Sequence, residues 1–342
     1  MAKTNQGKEK NLNSGIAPLF RWQVMRNTRV SSRNCSFVSL GKEDKLRRYL
    51  IVGLAKTGTT VISKTIQSST GIKKYHLEPK CISSFEDLGK SKDDVIVKIL
   101  FDHWATRPHL LNAIVSNELN TGFTANIFTT RDPRAEIISR LHYVAFPYFS
   151  DQSRPENETE RWLDLFRRKE MDATFSVREM ILEMNRQFGV DVIRGAAEMS
   201  GDYARYIDTV PPAQKTIIRY EDFVSSNLDH HPLAKLFSGD RSVGSELMRT
   251  RRTGGEDDWK AVVSDDDIDW LNEQVGPVLD ALGYPRNMTS GGTINPEYCS
   301  LFVERLIQEA RAIRSEMNKG RFRIKSILRL VSRARIENAD MS

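Results

Sequence analysis

The stretch from Tyr49 to Ile66, YLIVGLAKTGTTVISKTI, sets the terms for the rest of the chain. Tyr49 to Val52 is a short apolar run of the β type. Gly53 to Thr60 is a loop of small residues carrying one lysine, Lys56. Val61 to Ile66 begins a helical pattern. A strand, a small-residue loop and a helix in succession aim backbone N–H groups and a helix N-terminus at one point, where an anion is stabilised. Lys56 adds a point charge there, and Thr59 and Thr60 add hydroxyl donors. The stretch reads as a phosphate cradle in which Lys56, Thr57, Gly58, Thr59 and Thr60 hold the anion. It is not the nucleoside-triphosphate loop, which needs Gly, four residues, then Gly-Lys-Ser/Thr. Gly53 and Gly58 have that separation, but Lys56 stands two places before the second glycine instead of just after it.

A second constellation follows the apolar run Ala125 to Thr130. In Arg131-Asp132-Pro133-Arg134, Asp132 suits a helix N-cap and Pro133 the first helical position. Arg131 then lies at a strand end beside a helix N-terminus. Ser139 lies about two turns along that helix. A guanidinium with a hydroxyl nearby suits a phosphate monoester. A third segment, Arg252-Thr253-Gly254-Gly255-Glu256-Asp257-Asp258-Trp259-Lys260, joins an arginine to glycines and a Trp-Lys pair.

Between these, Val95 to Phe101 is a nearly continuous apolar run broken by Lys98, as expected for a parallel strand buried on both faces. Asp102 and His103 follow at its C-terminal end, where open α/β sheets place ligand groups. Tyr75 to Lys80 contains Glu78-Pro79, which favours an extended or turn segment. Thr216 to Tyr220 is a further strand leading into Glu221-Asp222-Phe223. Helical periodicity marks Leu110–Leu119, Val177–Phe188, Ala196–Ile207 and a helix from Leu271 that ends at Gly283 and Pro285. Alternating strands and helices predict an α/β fold with a parallel sheet.

Taken together, these segments resemble sulfotransferases that use 3′-phosphoadenosine 5′-phosphosulfate (PAPS), over roughly residues 48–285. Lys-Thr-Gly-Thr-Thr resembles that family's 5′-phosphosulfate loop. Arg131-Asp132-Pro133 with Ser139 eight residues after the arginine resembles its 3′-phosphate motif. Arg252 to Lys260 is similar to its Arg-x-Gly-x-x-Gly-x-Trp-Lys loop, with Asp257 in place of the second glycine. The resemblance implies a three-layer α/β/α sandwich of the P-loop-like sulfotransferase fold, with PAPS as donor and no metal. It implies 3′-phosphate binding by Arg131, Ser139, Arg252 and Gly254. Tyr220, in an element similar to Tyr-Glu-Asp-Leu/Met, would lie by the adenine. Glu78, in a Glu-Pro pair at the bacterial family's distance, would be the base for the acceptor hydroxyl. His103 is the second candidate, because Lys98 to His103 departs from the Lys-x-His spacing of cytosolic members.

The 342 residues carry a formal net charge of +6 and a pI near 9.1, which suits an anionic ligand or surface. Residues 1–45 read as a basic, mostly disordered arm, residues 46–290 as the catalytic domain, and residues 295–338 as a basic amphipathic helical tail. In that tail Val303, Leu306, Ala310, Ile313 and Met317 form an apolar seam. The tail suits a peripheral membrane contact, self-association or packing on the domain. Three widely separated cysteines, no long apolar run and no secretory h-region place the chain in the cytoplasm, with the inner face of a membrane as its one peripheral alternative. No interleaved aromatic-basic pattern calls for nucleic acid. The expected partner is a hydroxyl-bearing acceptor. The rival readings are a P-loop kinase or NTPase, with Asp102 imitating its metal-binding acid, and a non-catalytic anion or nucleic-acid binder using the basic ends.

Overall fold

The computed structural model describes residues 46–250, 255 and 257–318. The N-terminal arm, Arg252, Gly254 and the basic stretch after 318 lie outside the described residues.

The chain runs β1 (Arg48–Gly53), α1 (Thr59–Thr70), β2 (Lys74–Leu77), α2 (Ser83–Lys90), β3 (Val95–Leu100), α3 (Pro108–Val115) and β4 (Ala125–Thr130). It continues through α4 (Pro133–Tyr143), α5 (Ala145–Ser150), α6 (Thr159–Met171), α7 (Val177–Phe188), α8 (Val192–Thr209), β5 (Thr216–Arg219) and α9 (Tyr220–Val224). Two long helices close it, α10 (Asp265–Leu282) and α11 (Ser300–Asn318). The five strands form one sheet in the order β2-β3-β1-β4-β5, with every pairing parallel.

Alternation along β1 shows why helices cover both faces. Leu50 and Val52 point into a core built with Phe85 and Leu88 of α2, Leu111 and Ile114 of α3, and Tyr203 and Ile207 of α8. Tyr49 and Ile51 point the other way, onto Ile62 and Ile66 of α1 and Phe223 of α9. The fold is a three-layer α/β/α sandwich, as the strand and helix alternation requires. A third core joins α4 to α7 with α10 and α11.

In the third core Val303, Leu306 and Ala310 of the C-terminal seam are buried against this chain's own helices. Over the first half of α11 the seam is therefore covered from within; Met317, near its end, is exposed, and the continuation at 324–331 lies outside the described residues. Among the described residues no helix is long and apolar enough to cross a membrane.

Strand order places the site. β1 is central, β3 lies on one side and β4 on the other, so the chain reverses direction of travel across the sheet at β1. The loops after all five parallel strands open on one edge, and a crevice forms at this reversal. Gly53, the last residue of β1, shows how tightly that edge is packed. A Cβ there would sit 2.0 Å from Thr129 Oγ1 and 2.5 Å from Thr59 Cγ2. Both neighbours are buried β-branched side chains that cannot swing aside. Gly53→Ala is expected to cost about 1–3 kcal/mol through overpacking. A lower urea midpoint at constant slope checks this; an unchanged midpoint contradicts it.

Several boundaries differ from the sequence expectation. Lys74–Leu77 is a true edge strand and not only an extended connection. β5 stops at Arg219, and Tyr220 opens a helix. α10 begins six residues before Leu271, where Ser264 and Asp267 make a reciprocal capping box.

Candidate active site

The loop between β1 and α1 is held from both sides. The Ala55 N–H donates to Asp102 Oδ2 at 2.9 Å, and Arg131 Nη1 donates to the Lys56 carbonyl at 3.0 Å. These contacts fix Lys56 in left-handed backbone, φ 76°, a strained conformation for a residue with a side chain. Gly58 follows at φ 80° and serves as the N-cap of α1. A Cβ on Gly58 would lie 2.3 Å from the ring of Tyr220, so the loop and this ring fit only with glycine. The first-turn amides of α1 point outward from the helix start, where its dipole is positive.

The Asp-Pro signal behaves as its residues dictate. Asp132 caps α4 by accepting from the Arg134 N–H, and Pro133 takes the first helical position. Glu221 is the clasp of this region. Its Oε1 accepts from the Asp132 N–H at 2.9 Å and its Oε2 from the Tyr284 hydroxyl at 2.9 Å. One carboxylate thus ties the start of α4, the start of α9 and the end of α10 together, although burial pushes its pKa up. Arg131, held at this junction, lays its guanidinium 4.7 Å from the Tyr220 ring centroid. Its Nε is buried with no hydrogen-bond partner.

A cavity of about 320 Å³ opens along this edge, within the range of small-molecule sites. Lys56, Gly58, Thr59 and Thr60 line it on the loop side, Arg131, Ser139 and Tyr220 line another wall, and Glu78 lines a third. The anion cradle and the Arg–Ser pair, 71 or more residues apart in sequence, therefore face one space. Lys56 Nζ lies 3.9 Å from the Tyr143 ring centroid and 3.4 Å from the Thr250 carbonyl.

Glu78 stands just past β2, also in left-handed backbone at φ 52°, its N–H donating to the Lys98 carbonyl at 2.7 Å. Its Oε1 is 2.6 Å from Lys98 Nζ, which also donates to Thr60 Oγ1 at 3.1 Å. Lys98 is buried, so the ion pair is shielded from solvent and fixes the carboxylate at the cavity wall.

Two expected residues are placed elsewhere. Thr57 turns away: its hydroxyl donates to the Leu54 carbonyl at 2.8 Å and contacts Thr129 Oγ1 at 3.0 Å, and its N–H returns to Leu54. It braces the loop from beneath and is not among the cavity-lining residues. His103 ends the turn after β3 and does not line the cavity either. Burial, then the charge of Lys80, lowers its pKa. Asp102 is engaged by Ala55 and by Arg140, whose Nη2 lies 3.1 Å from Oδ1. Among the described residues no acidic, histidine or cysteine group is clustered for a metal ion.

The cavity also contains residues that were not assigned a role from sequence: Lys98, Tyr143, Arg241 and Arg249. Lys98 alone carried a signal, as a charge inside an apolar strand. The other three come from helix and loop positions with no distinguishing pattern. Trp259 of the third segment is a core residue, and Lys260 pairs with Asp257 at 2.9 Å.

No protein-family model matches this chain, and no curated protein matches it. Among solved structures it is similar to the sulfotransferase domain from the curacin biosynthetic pathway. The two share 12% identity with a TM-score of 0.38, over 70% of this chain and 98% of that one.

Proposed function

We propose that this protein is a sulfotransferase that moves a sulfonyl group from PAPS to a hydroxyl, or an amine, of an acceptor. One observation carries the reading: Lys56 with its loop and Arg131 with Ser139, two anion-suited groups far apart in sequence, line a single cavity. PAPS fits these residues. The orphaned Arg131 Nε is a buried donor waiting for an acceptor, and the Gly58–Tyr220 contact leaves bare backbone at the loop. Lys56 and the first amides of α1 would hold the phosphosulfate end, Arg131 and Ser139 the 3′-phosphate, and Tyr220 the purine side. Arg252 and Gly254 belong to the same proposal through sequence alone.

When bound, PAPS supplies a sulfonyl group whose transfer leaves 3′-phosphoadenosine 5′-phosphate. Lys56 offsets the negative charge that gathers on the oxygens around sulfur, which is where fixed positive charge lowers a barrier most. Arg131 and Ser139 grip a part of the donor remote from the chemistry, so binding there is converted into orientation. Glu78, steadied by Lys98 at Oε1, takes the acceptor proton at its other oxygen. His103 lies outside the cavity wall and is the weaker candidate.

For the kinase reading, Asp102 is not among the residues that line the cavity; its oxygens accept from the Ala55 N–H and from Arg140. The basic ends invoked by a non-catalytic binder lie outside the described residues. The direct test incubates the protein with labelled PAPS and a panel of sugars, lipid-linked glycans and phenols. The expected result is label in at least one hydroxyl-bearing acceptor without added magnesium. Magnesium-dependent hydrolysis of ATP with no transfer from PAPS contradicts the proposal.

A further inference from the structure

Behind the cavity wall, α4 carries a buried carboxylate that the proposed chemistry does not use. The Glu136 side chain is 2% exposed. Its Oε1 accepts from Arg140 Nε at 2.7 Å, one turn along the same helix, and its Oε2 accepts from the Ser200 hydroxyl of α8 at 3.2 Å. Arg140 reaches on with Nη2 to Asp102 Oδ1 at 3.1 Å, and Asp102 Oδ2 accepts from the Ala55 N–H at 2.9 Å. A continuous run of hydrogen bonds thus joins α8, α4, the turn after β3 and the loop that bears Lys56.

Sheet register brings Asp102 to the loop. Gly53 pairs with Leu100 in the parallel β1–β3 ladder, and Ala55 and Asp102 each stand two residues beyond that pair. Arg140, itself held by Glu136, takes one oxygen of Asp102 and leaves the other for the Ala55 amide. Glu136, Arg140 and Tyr143 share one face of α4, and the Tyr143 ring centroid lies 3.9 Å from Lys56 Nζ. Ser139, beside Arg140, lines the cavity. One helix therefore bears on the loop at two points and also carries the hydroxyl of the second anion pocket. A buried ion pair contributes little net stability, because desolvation offsets the attraction, so stability alone does not account for Glu136 and Arg140.

We propose that Arg140, oriented by Glu136, is a positioning residue for the transfer: through Asp102 it holds the Ala55–Lys56 turn, and with it the Lys56 ammonium, in place against the Ser139 wall. The inference rests on the sulfotransferase reading for what the loop binds, while the holding of the loop is measurable without any ligand.

The test compares the full chain with a double variant, Glu136→Leu with Arg140→Met, since apolar residues of similar volume often replace a buried ion pair without loss of stability. Amide hydrogen exchange is followed by NMR at Ala55, with Leu50 and Val52 of β1 as internal controls. Ala55 is expected to exchange about tenfold faster in the variant while both controls are unchanged. The second readout is the affinity for 3′-phosphoadenosine 5′-phosphate relative to adenosine 3′-monophosphate, a ratio that reports the 5′-phosphate on the loop. That ratio is expected to fall about tenfold, with the affinity for the monophosphate in place. Unchanged exchange at Ala55 overturns the proposal, and so does equal acceleration at all three amides, which is general loosening. A faster Ala55 with the ratio intact, or equal weakening of both nucleotides, confines the network to stability and overturns it as well. If the double variant fails to fold, Arg140→Lys is measured instead. An ammonium lacks the planar fork that serves two carboxylates, so a rise of about threefold at Ala55 is expected, and no rise overturns the proposal. If neither nucleotide binds the unaltered chain, or both bind equally, the donor reading fails, and exchange at Ala55 alone decides the positioning.

Discussion

Lys56→Ala is expected to slow sulfonyl transfer about 10²- to 10³-fold, the usual effect of removing one preorganised charge from a site where charge develops. The argument is geometric. Lys56 projects from a loop pinned by Asp102 at Ala55 and by Arg131 at its own carbonyl, so its position does not relax when a ligand arrives. The same pins force its backbone to φ 76°. An L residue there carries roughly 1–2 kcal/mol of strain. Lys56→Gly separates the two effects, because glycine accepts this conformation. It should be as inactive as alanine, with stability unchanged or raised by no more than about 1 kcal/mol once the added unfolded-state entropy is counted. Steady-state rates with denaturant melts check both halves. An active Lys56→Gly variant would remove the lysine from the chemistry, and a strongly destabilised one would contradict the strain.

The second large effect concerns the base. Glu78→Gln is expected to lower turnover about 10²- to 10⁴-fold, whereas His103→Ala should keep it within about tenfold. Glu78 lines the cavity and His103 does not. Removing the carboxylate's charge also strands the buried Lys98, 4% exposed, at a cost of about 1–3 kcal/mol. Glu78→Gln combined with Lys98→Met should recover that stability but not the rate. The reverse pattern, a severe loss in His103→Ala with a mild one in Glu78→Gln, transfers the role to the histidine.

Much of the fold could be read from local residues. The alternation in Tyr49–Val52, the apolar run at Val95 and the Asp132-Pro133 cap each act within a few residues, and each element is present with nearly the expected bounds. What escaped was long-range or weakly patterned. β2 has only four residues at a sheet edge, begins with an exposed lysine, and offers no apolar run. Glu221 read as a helix-start residue, yet it clasps Asp132 and Tyr284 across 89 and 63 residues. Asp102 looked like a ligand acid, but its partner is the amide of Ala55, 47 residues earlier. Thr57 shared the composition of its loop neighbours, and only the packing against Thr129 shows that it faces inward. Arg249 and Tyr143 come from distant parts of the chain to line one cavity, which no spacing rule anticipates.

The central claim is that two anion pockets grip opposite ends of one adenosine derivative. Calorimetry with 3′-phosphoadenosine 5′-phosphate against adenosine diphosphate tests it most directly, repeated with Arg131→Ala. A charge-assisted contact of about 1.5–3 kcal/mol corresponds to roughly ten- to a hundredfold in affinity. The account predicts at least that preference for the 3′-phosphorylated ligand, lost in Arg131→Ala. Equal affinity for the two nucleotides, or a preference that survives the loss of Arg131, would contradict it.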